Sequence, residues 1–142
     1  MRALGLDLGS KRIGVAVSAG TLATPYEVVH RSGNRRRDHA RIAELAAETE
    51  AEVVVVGLPL SLDGSVGRAA RAALDEVAEL GDALPVPVTT YDERLTTVTA
   101  DRQLLDQSLG AAARRKVVDK VAASVMLQAW LDAGSPTEAR RT

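Results

Sequence analysis

Four consecutive valines, Val53 to Val56, constrain the fold of this chain more than any other stretch. The run is too short for a helix and has no polar face, so it suits a central parallel strand that is buried on both sides. Helical patterns precede and follow the run, and they can supply the crossovers that a parallel sheet requires. The chain is therefore expected to form an α/β fold with helices on both faces of one sheet.

Shorter apolar runs predict the other strands of a five-stranded mixed sheet, and the first two form a hairpin around a Gly-Ser-Lys-Arg turn. The strands are expected at residues 3–8, 13–18, 24–30, 53–56 and 86–91. The helices are expected at residues 35–50, 65–80, 97–105 and about 115–132, with a connector at 106–114. Ser65 or Asp63 is expected to cap the second helix, and Gly81 to end it. The predicted order is β-β-β-α-β-α-β-α-α.

Composition narrows the class of protein. The 142 residues fit a single domain over residues 1–134, with a frayed tail at 135–142. Cysteine is absent, which excludes disulfides and cysteine-ligated zinc. One Trp, two Tyr and no Phe argue against aromatic platforms for stacking nucleobases. No signal peptide is recognisable, and no apolar run approaches the ~20 residues of a membrane helix, so a cytoplasmic protein without membrane contacts is expected.

The net charge of −1 conceals two segregated regions. Residues 31–41 contain five Arg and one Asp, whereas residues 42–82 contain nine acids and two Arg. Charge runs usually lie on solvated faces, and contact of Arg35, Arg36 and Arg37 with a nucleic acid is the alternative.

One carboxylate interrupts the first apolar strand. Asp7 lies in the middle of ALGLDLG, where an isolated charge is costly unless it is paired or bound to a metal. A salt bridge to Lys11, Arg12 or Lys120 would be the purely structural explanation.

Further carboxylates occur at two other places that can reach the same crevice. Strand alternation puts Asp92 and Glu93 on opposite faces and does not by itself decide which of them points into the crevice. Either could instead be an acid at the start of a helix. Asp119 lies early on the most apolar helix, where Ala122 and Ala123 allow close packing on the sheet, although such acids are common near helix N-termini.

Together these carboxylates describe a site for a hard cation. Oxygen ligands without cysteine suit Mg²⁺ or Mn²⁺. Two such ions ~4 Å apart can stabilise the attacking and leaving oxygens of a phosphodiester. The expected chemistry is therefore metal-dependent attack on a phosphodiester.

Four motifs carry a family resemblance. DLGSKRIGVAVS, GLPLSLDGS, YDERLTT and VDKVAASVMLQAWLD, in this order, resemble the YqgF/RuvX family from Ala3 to about Asp132. The resemblance implies an RNase H-like three-layer α/β/α fold related to Holliday-junction resolvases. It further implies a bacterial cytoplasmic nuclease that matures the 5′ end of precursor 16S ribosomal RNA.

The resemblance also assigns residues. The family's acids, the expected metal ligands and catalytic groups, fall on Asp7, Glu93 and Asp119, which selects Glu93 over Asp92. Arg94 belongs to the same motif as Glu93 and is an expected contact with nucleic acid. Basic residues near the inferred site are the other expected contacts: Lys11, Arg12, Arg114, Arg115, Lys116 and Lys120. The RNase H-like plan often has another acid on the strand after the first helix, but here that strand ends in GLPL. The loop with Ser61, Asp63 and Gly64 is interpreted as shaping the substrate site, or as an ordinary turn with a cap.

Three other functions compete with the RNA nuclease. A Holliday-junction resolvase would need a dimer that presents two sites to branched DNA, whereas a monomer or weak homodimer is expected for the RNA nuclease. A non-catalytic RNA-binding factor in ribosome assembly or transcription would leave the acids structural. A phosphotransferase of the actin and sugar-kinase type is suggested by DLGS, but it needs two lobes and this chain provides one.

Overall fold

The computed structural model describes residues 1–95 and 111–135, with the side chains of residue 95 and residues 111–120 left undescribed. The helix expected at 97–105 and most of the expected tail lie outside the described residues. None of the helices in the described part is long and apolar enough to cross a bilayer.

Five strands form one mixed sheet in the order β3-β2-β1-β4-β5. They are β1 (Ala3–Leu8), β2 (Arg12–Ala19), β3 (Leu22–His30), β4 (Val53–Leu58) and β5 (Val88–Asp92). The first three strands are antiparallel neighbours, and β4 runs parallel to both β1 and β5. This is the predicted mixed sheet, with the valine run beside the first strand.

In the described part of the chain, three helices pack on the sheet: α1 (Arg35–Glu48), α2 (Arg68–Ala83) and α3 (Ala111–Asp132). Asn34 caps α1, because its side-chain oxygen accepts a hydrogen bond from the backbone N–H of Arg37 at 3.1 Å. At the other end of the chain, Gly134 has a φ of +89° and lets the backbone turn back onto α3.

Three helix boundaries differ from the predictions. Gly67, not Ser65 or Asp63, is the N-cap of α2, since the Asp63 carboxylate accepts a hydrogen bond from the Ser65 N–H inside the preceding loop. Gly81 lies within α2, where a glycine costs only about 1 kcal/mol relative to alanine and does not stop the helix. The third helix begins at Ala111, inside the expected connector, because three alanines favour helix.

The core has two parts, one on each face of the sheet. Even-numbered residues of β1 and β4, including Leu6 and Val56, pack against α1 and α2, where Leu80 of α2 belongs to the same cluster. Odd-numbered residues of these strands pack against α3, where Trp130 is fully buried. The parity of a residue in β1 or β4 therefore decides which helical layer it meets.

Candidate active site

Asp7 faces the α3 layer at the carboxyl end of β1. It shares parity with Ala3, which packs in the α3 core, and with Gly5, which α3 covers directly. Its side chain is buried, with a 7% exposed fraction for the residue, and Gly14 of β2 lies opposite it. The structure thus places a carboxylate at the buried position that the sequence predicts.

Glu93 reaches the same face from the turn after β5. It begins a short 3₁₀ turn, Glu93–Leu95, and its Oε1 lies 2.6 Å from the point where a Cβ on Gly57 would be. Gly57 pairs with Tyr91 in β5, and the register of β1 with β4 ends at the pair Leu6 and Val56, one residue before Asp7 and Gly57. The missing side chain at Gly57 makes room for the Glu93 carboxylate.

A cleft of about 670 Å³ brings the two carboxylates into one site. It opens at the edge of the sheet where the parallel strands β1, β4 and β5 end, which is where α/β sheets usually bind ligands. Asp7 and Glu93 line it together with the β1–β2 turn. The wall contributed by other segments consists of Arg31, Arg35, Pro59, Ala69, Ala72, Ala73 and Glu76.

The third expected acid, Asp119, belongs to α3, but its side chain lies outside the described part of the chain. Asp119 is one helical turn before Ala123, whose carbonyl oxygen is 3.3 Å from the Cβ point of Gly5. Among the side chains that the structure describes, no three His, Cys, Asp or Glu gather as a candidate metal centre. Convergence of all three acids therefore stays a prediction.

Like Asp119, the expected basic contacts on α3 have side chains outside the described residues. Arg114, Arg115, Lys116 and Lys120 lie on the helical backbone, and their side chains fall outside the described residues. Their contact with nucleic acid stays a prediction.

Arg94 connects the turn after β5 to the β4–α2 loop. Its guanidinium forms a salt bridge with Asp92 at 2.6 Å and donates a hydrogen bond to the carbonyl of Leu62 at 3.2 Å. The hydrogen bonds from Arg94 lower the pKa of Asp92. Asp92 is thus the partner of Arg94, which leaves Glu93 as the member of the pair that enters the cleft.

The β4–α2 loop is tightly folded where Arg94 contacts it. The N–H of Ser61 bonds the carbonyl of Ser65 at 3.0 Å, and Gly64 turns the chain with a φ of +88°. Hydrogen bonds from Ser65 lower the pKa of Asp63, with a smaller contribution from Arg94. Leu62 protrudes from this loop with a 96% exposed fraction. The loop is therefore an ordered turn beside the cleft.

The segregated charges of the sequence meet each other in the fold. Arg31 pairs with Glu76, Arg35 contacts Glu79, and Arg41 pairs with Glu48 at 3.2 Å. Three of the five arginines of the basic segment thus pair with carboxylates of the acidic one, and contact of Arg35, Arg36 and Arg37 with a nucleic acid stays a prediction. Lys11 is exposed in the β1–β2 turn and lines a second groove with Ser10, Arg31 and Arg35. Arg12 begins β2 next to that turn.

Sequence reasoning missed two features of this site. Gly57 makes room for Glu93, and its only signal was a glycine directly after the four valines of β4, which often marks a close approach. Arg31 and Glu76 line the cleft and pair with each other, and nothing in the sequence distinguished them from surface charges.

Comparisons with known proteins place this geometry in a family. Residues 1–133 match the family profile described as "RuvX: Holliday junction resolvase". A protein of Myxococcus xanthus strain DK1622 is 46% identical over 139 residues, covering 97% of this chain and 92% of its own length. A protein of Syntrophomonas wolfei is 41% identical, covering 95% of this chain and 96% of its own length. Both relatives carry the name "Putative pre-16S rRNA nuclease".

The fold also has a solved counterpart. The structure titled "T. thermophilus RuvC in complex with Holliday junction substrate" has a TM-score of 0.59 and 19% identity, and the match covers 96% of this chain and 98% of that one. At this identity the likeness establishes the fold, and it confirms the expected RNase H-like architecture. With nearly its whole length matched by the family profile, the chain belongs to the RuvX family.

Proposed function

We propose that this chain is an endonuclease that hydrolyses phosphodiesters in precursor 16S ribosomal RNA in the cytoplasm. The observation that carries the proposal is the pair Asp7 and Glu93, which come from distant parts of the sequence and line one cleft. Relatives of 41% and 46% identity carry the name of a pre-16S rRNA nuclease, which supports this substrate. Acting as a monomer or weak homodimer, the chain would take structured nucleic acid as its partner.

The donor set suits a hard divalent cation. Asp7 and Glu93 offer carboxylate oxygens to the cleft, and neither sulfur nor imidazole lines it among the described residues. Mg²⁺ or Mn²⁺ would be held by these two acids, with Asp119 as the proposed third ligand. A cation bound there supplies positive charge that stabilises the phosphoryl oxygens as negative charge develops on them.

The chain itself contributes position and selectivity. Asp7 belongs to β1, which pairs with a strand on each side, and Glu93 lies against the surface of Gly57, so both carboxylates line the cleft before substrate arrives. Lys11, exposed in the turn that follows Asp7, is suited to contact a backbone phosphate next to the scissile one. Arg94 would reach a phosphate only by exchanging one of its present partners.

The test is cleavage of purified precursor 16S RNA by Asp7→Asn, with Mg²⁺ or Mn²⁺ present. The substitution keeps the shape of the side chain and removes its charge, so the rate should fall by about 10²-fold or more. Asp82→Asn is the matched control, because Asp82 is an exposed carboxylate of α2 that does not line the cleft. Equal cleavage by the parent chain and Asp7→Asn would remove the proposal.

A second candidate is resolution of four-way DNA, which the description of the family profile favours. Cleavage of an immobile junction and the molecular mass in solution separate the two functions, since symmetric resolution requires a dimer. A monomer that cuts the RNA precursor and leaves the junction intact would exclude the resolvase.

A further inference from the structure

Arg31 joins the turn beside Asp7 to the helical layer behind it. Its Nε donates a hydrogen bond to the carbonyl of Gly9 at 2.7 Å, and its backbone N–H bonds the carbonyl of Lys11 at 2.9 Å. Gly9 follows Asp7 by two residues, and both line the same cleft. One residue just beyond β3 therefore contacts the β1–β2 turn twice.

The other side of the Arg31 guanidinium is anchored in α2. Its two terminal nitrogens lie 3.0 and 2.8 Å from the carboxylate oxygens of Glu76, which makes a bidentate pair. His39 of α1 approaches Glu76 at 2.8 Å, and the side chains of His39 and Glu76 are only 3% and 4% exposed. The anchor is therefore a largely buried network that spans two helices.

All three nitrogens of the Arg31 guanidinium donate hydrogen bonds. Nε points to Gly9 while both terminal nitrogens point to Glu76, so the position of the turn is coupled to the position of α2. A lysine at residue 31 would keep the charge but could not satisfy both partners with one planar group. This arrangement exceeds what neutralising Glu76 requires, because a salt bridge alone needs no bond to the turn.

The turn is also intolerant of displacement. The Gly9 N–H donates to the carbonyl of Arg12 at 2.9 Å, and a Cβ on Gly9 would lie 2.5 Å from that same oxygen. The backbone is therefore closely packed on itself between the Asp7 strand and β2. A shift of the Gly9 carbonyl is transmitted over two residues to Asp7.

We infer that Arg31 is a positioning residue, which holds the β1–β2 turn against α2 through Glu76 and thereby fixes the Asp7 carboxylate in the cleft. The effect of this positioning on catalysis rests on the proposed nuclease function. Nothing in the inference requires Arg31 to contact the substrate.

The experiment compares Arg31→Lys with Arg41→Lys in the full chain. Arg41 is the matched control, because it is a surface arginine of α1 that forms ion pairs away from the cleft. The first measurement is amide hydrogen exchange at Gly9 relative to Val54, Val55 and Val56 of the central strand. Exchange at Gly9 should accelerate about tenfold in Arg31→Lys, with the central strand unchanged.

The second measurement separates kcat from KM on precursor RNA. A positioning role predicts that Arg31→Lys lowers kcat by roughly tenfold, with KM within about twofold of the parent value. Equal exchange at Gly9 in both variants, or faster exchange at all amides alike, would overturn the inference. So would a normal kcat in Arg31→Lys when Asp7→Asn is inactive. If Asp7→Asn cleaves as well as the parent, the nuclease proposal fails and the exchange at Gly9 alone decides the role of Arg31.

Discussion

The Glu93 carboxylate occupies the space that a side chain on Gly57 would fill, with its Oε1 2.6 Å from the Cβ point. The three atoms nearest to this point all belong to the Glu93 side chain, at 2.6 to 3.2 Å. A side chain at position 57 would therefore first displace one acid of the cleft.

Gly57→Ala should reduce activity while leaving the protein folded. The new methyl group displaces the end of the flexible Glu93 side chain, which can rotate away at little cost in stability. A displacement of about 1 Å at a reacting group lowers kcat by roughly 10²-fold. Thermal unfolding and RNA cleavage measured on the same preparation check this pair of effects. Parent-like cleavage by Gly57→Ala would show that Glu93 does not need its present position.

Gly81→Ala should stabilise the protein without changing its activity. Gly81 lies inside α2, and a Cβ added there meets nothing within 4 Å. Replacing a helical glycine with alanine removes backbone entropy from the unfolded chain, which is worth roughly 0.5–1 kcal/mol. Urea unfolding gives the free energy directly. This variant also serves as the Gly→Ala control for position 57, and any fall in its cleavage rate would mean that α2 influences the cleft.

The contrast between Asp7 and Gly57 shows how far the sequence alone determines the site. A charged residue inside an apolar strand can be recognised in the sequence itself, so Asp7 could be identified from the local pattern and the cost of burying its charge. The role of Gly57 depends on the register of β4 with β5 and on the turn after β5. Strand alternation did not decide whether Asp92 or Glu93 points into the cleft, because it does not reveal that Arg94 binds Asp92.

Ion pairs between residues far apart in the chain could not be predicted from the sequence either. Arg31 and Glu76 are 45 residues apart, and each looks like an ordinary surface charge in its own segment. Only the packing of α2 against the β3–α1 connection brings the basic segment, residues 31–41, next to carboxylates of the acidic segment, residues 42–82. The positions of the strands along the chain were predictable because each apolar run is local, whereas helix ends shifted by several residues where loop hydrogen bonds competed for the capping groups.

Gly5→Ala should destabilise the fold, in contrast to the substitution at position 57. A Cβ on Gly5 would lie 2.9 Å from the Cβ of Leu127 and 3.3 Å from the carbonyl oxygen of Ala123. Both atoms belong to the frame of α3, so no rotamer change relieves the contact and the helix must move. Overpacking of this kind costs roughly 1–3 kcal/mol, which urea unfolding can measure. A loss of stability no larger than that of Gly57→Ala would contradict the close packing of α3 on β1.

The parent protein should lose stability as the pH falls into the acid range, and Glu76→Gln should lose less. Burial disfavours the charged form of Glu76, but hydrogen bonds from Arg31 and His39 outweigh it, so the pKa in the folded state is lowered. As the pH falls below about 4.5, the unfolded chain takes up a proton at this residue before the folded chain does, and the free energy of unfolding decreases. The decrease continues until the pH passes the lowered pKa of the folded state.

Urea unfolding at a series of pH values from about 7 to about 3, which brackets the ordinary glutamate pKa of about 4.3, measures this linkage. Glu76→Gln should be less stable than the parent near neutral pH, because the amide cannot form a charged bidentate pair with Arg31. The two proteins should converge in stability as the pH falls, since the parent loses the charge that the variant already lacks. Glu44→Gln removes one exposed carboxylate from α1 and is the control for net charge. Parallel profiles for the parent and Glu76→Gln would mean that Glu76 is not ionised preferentially in the folded protein.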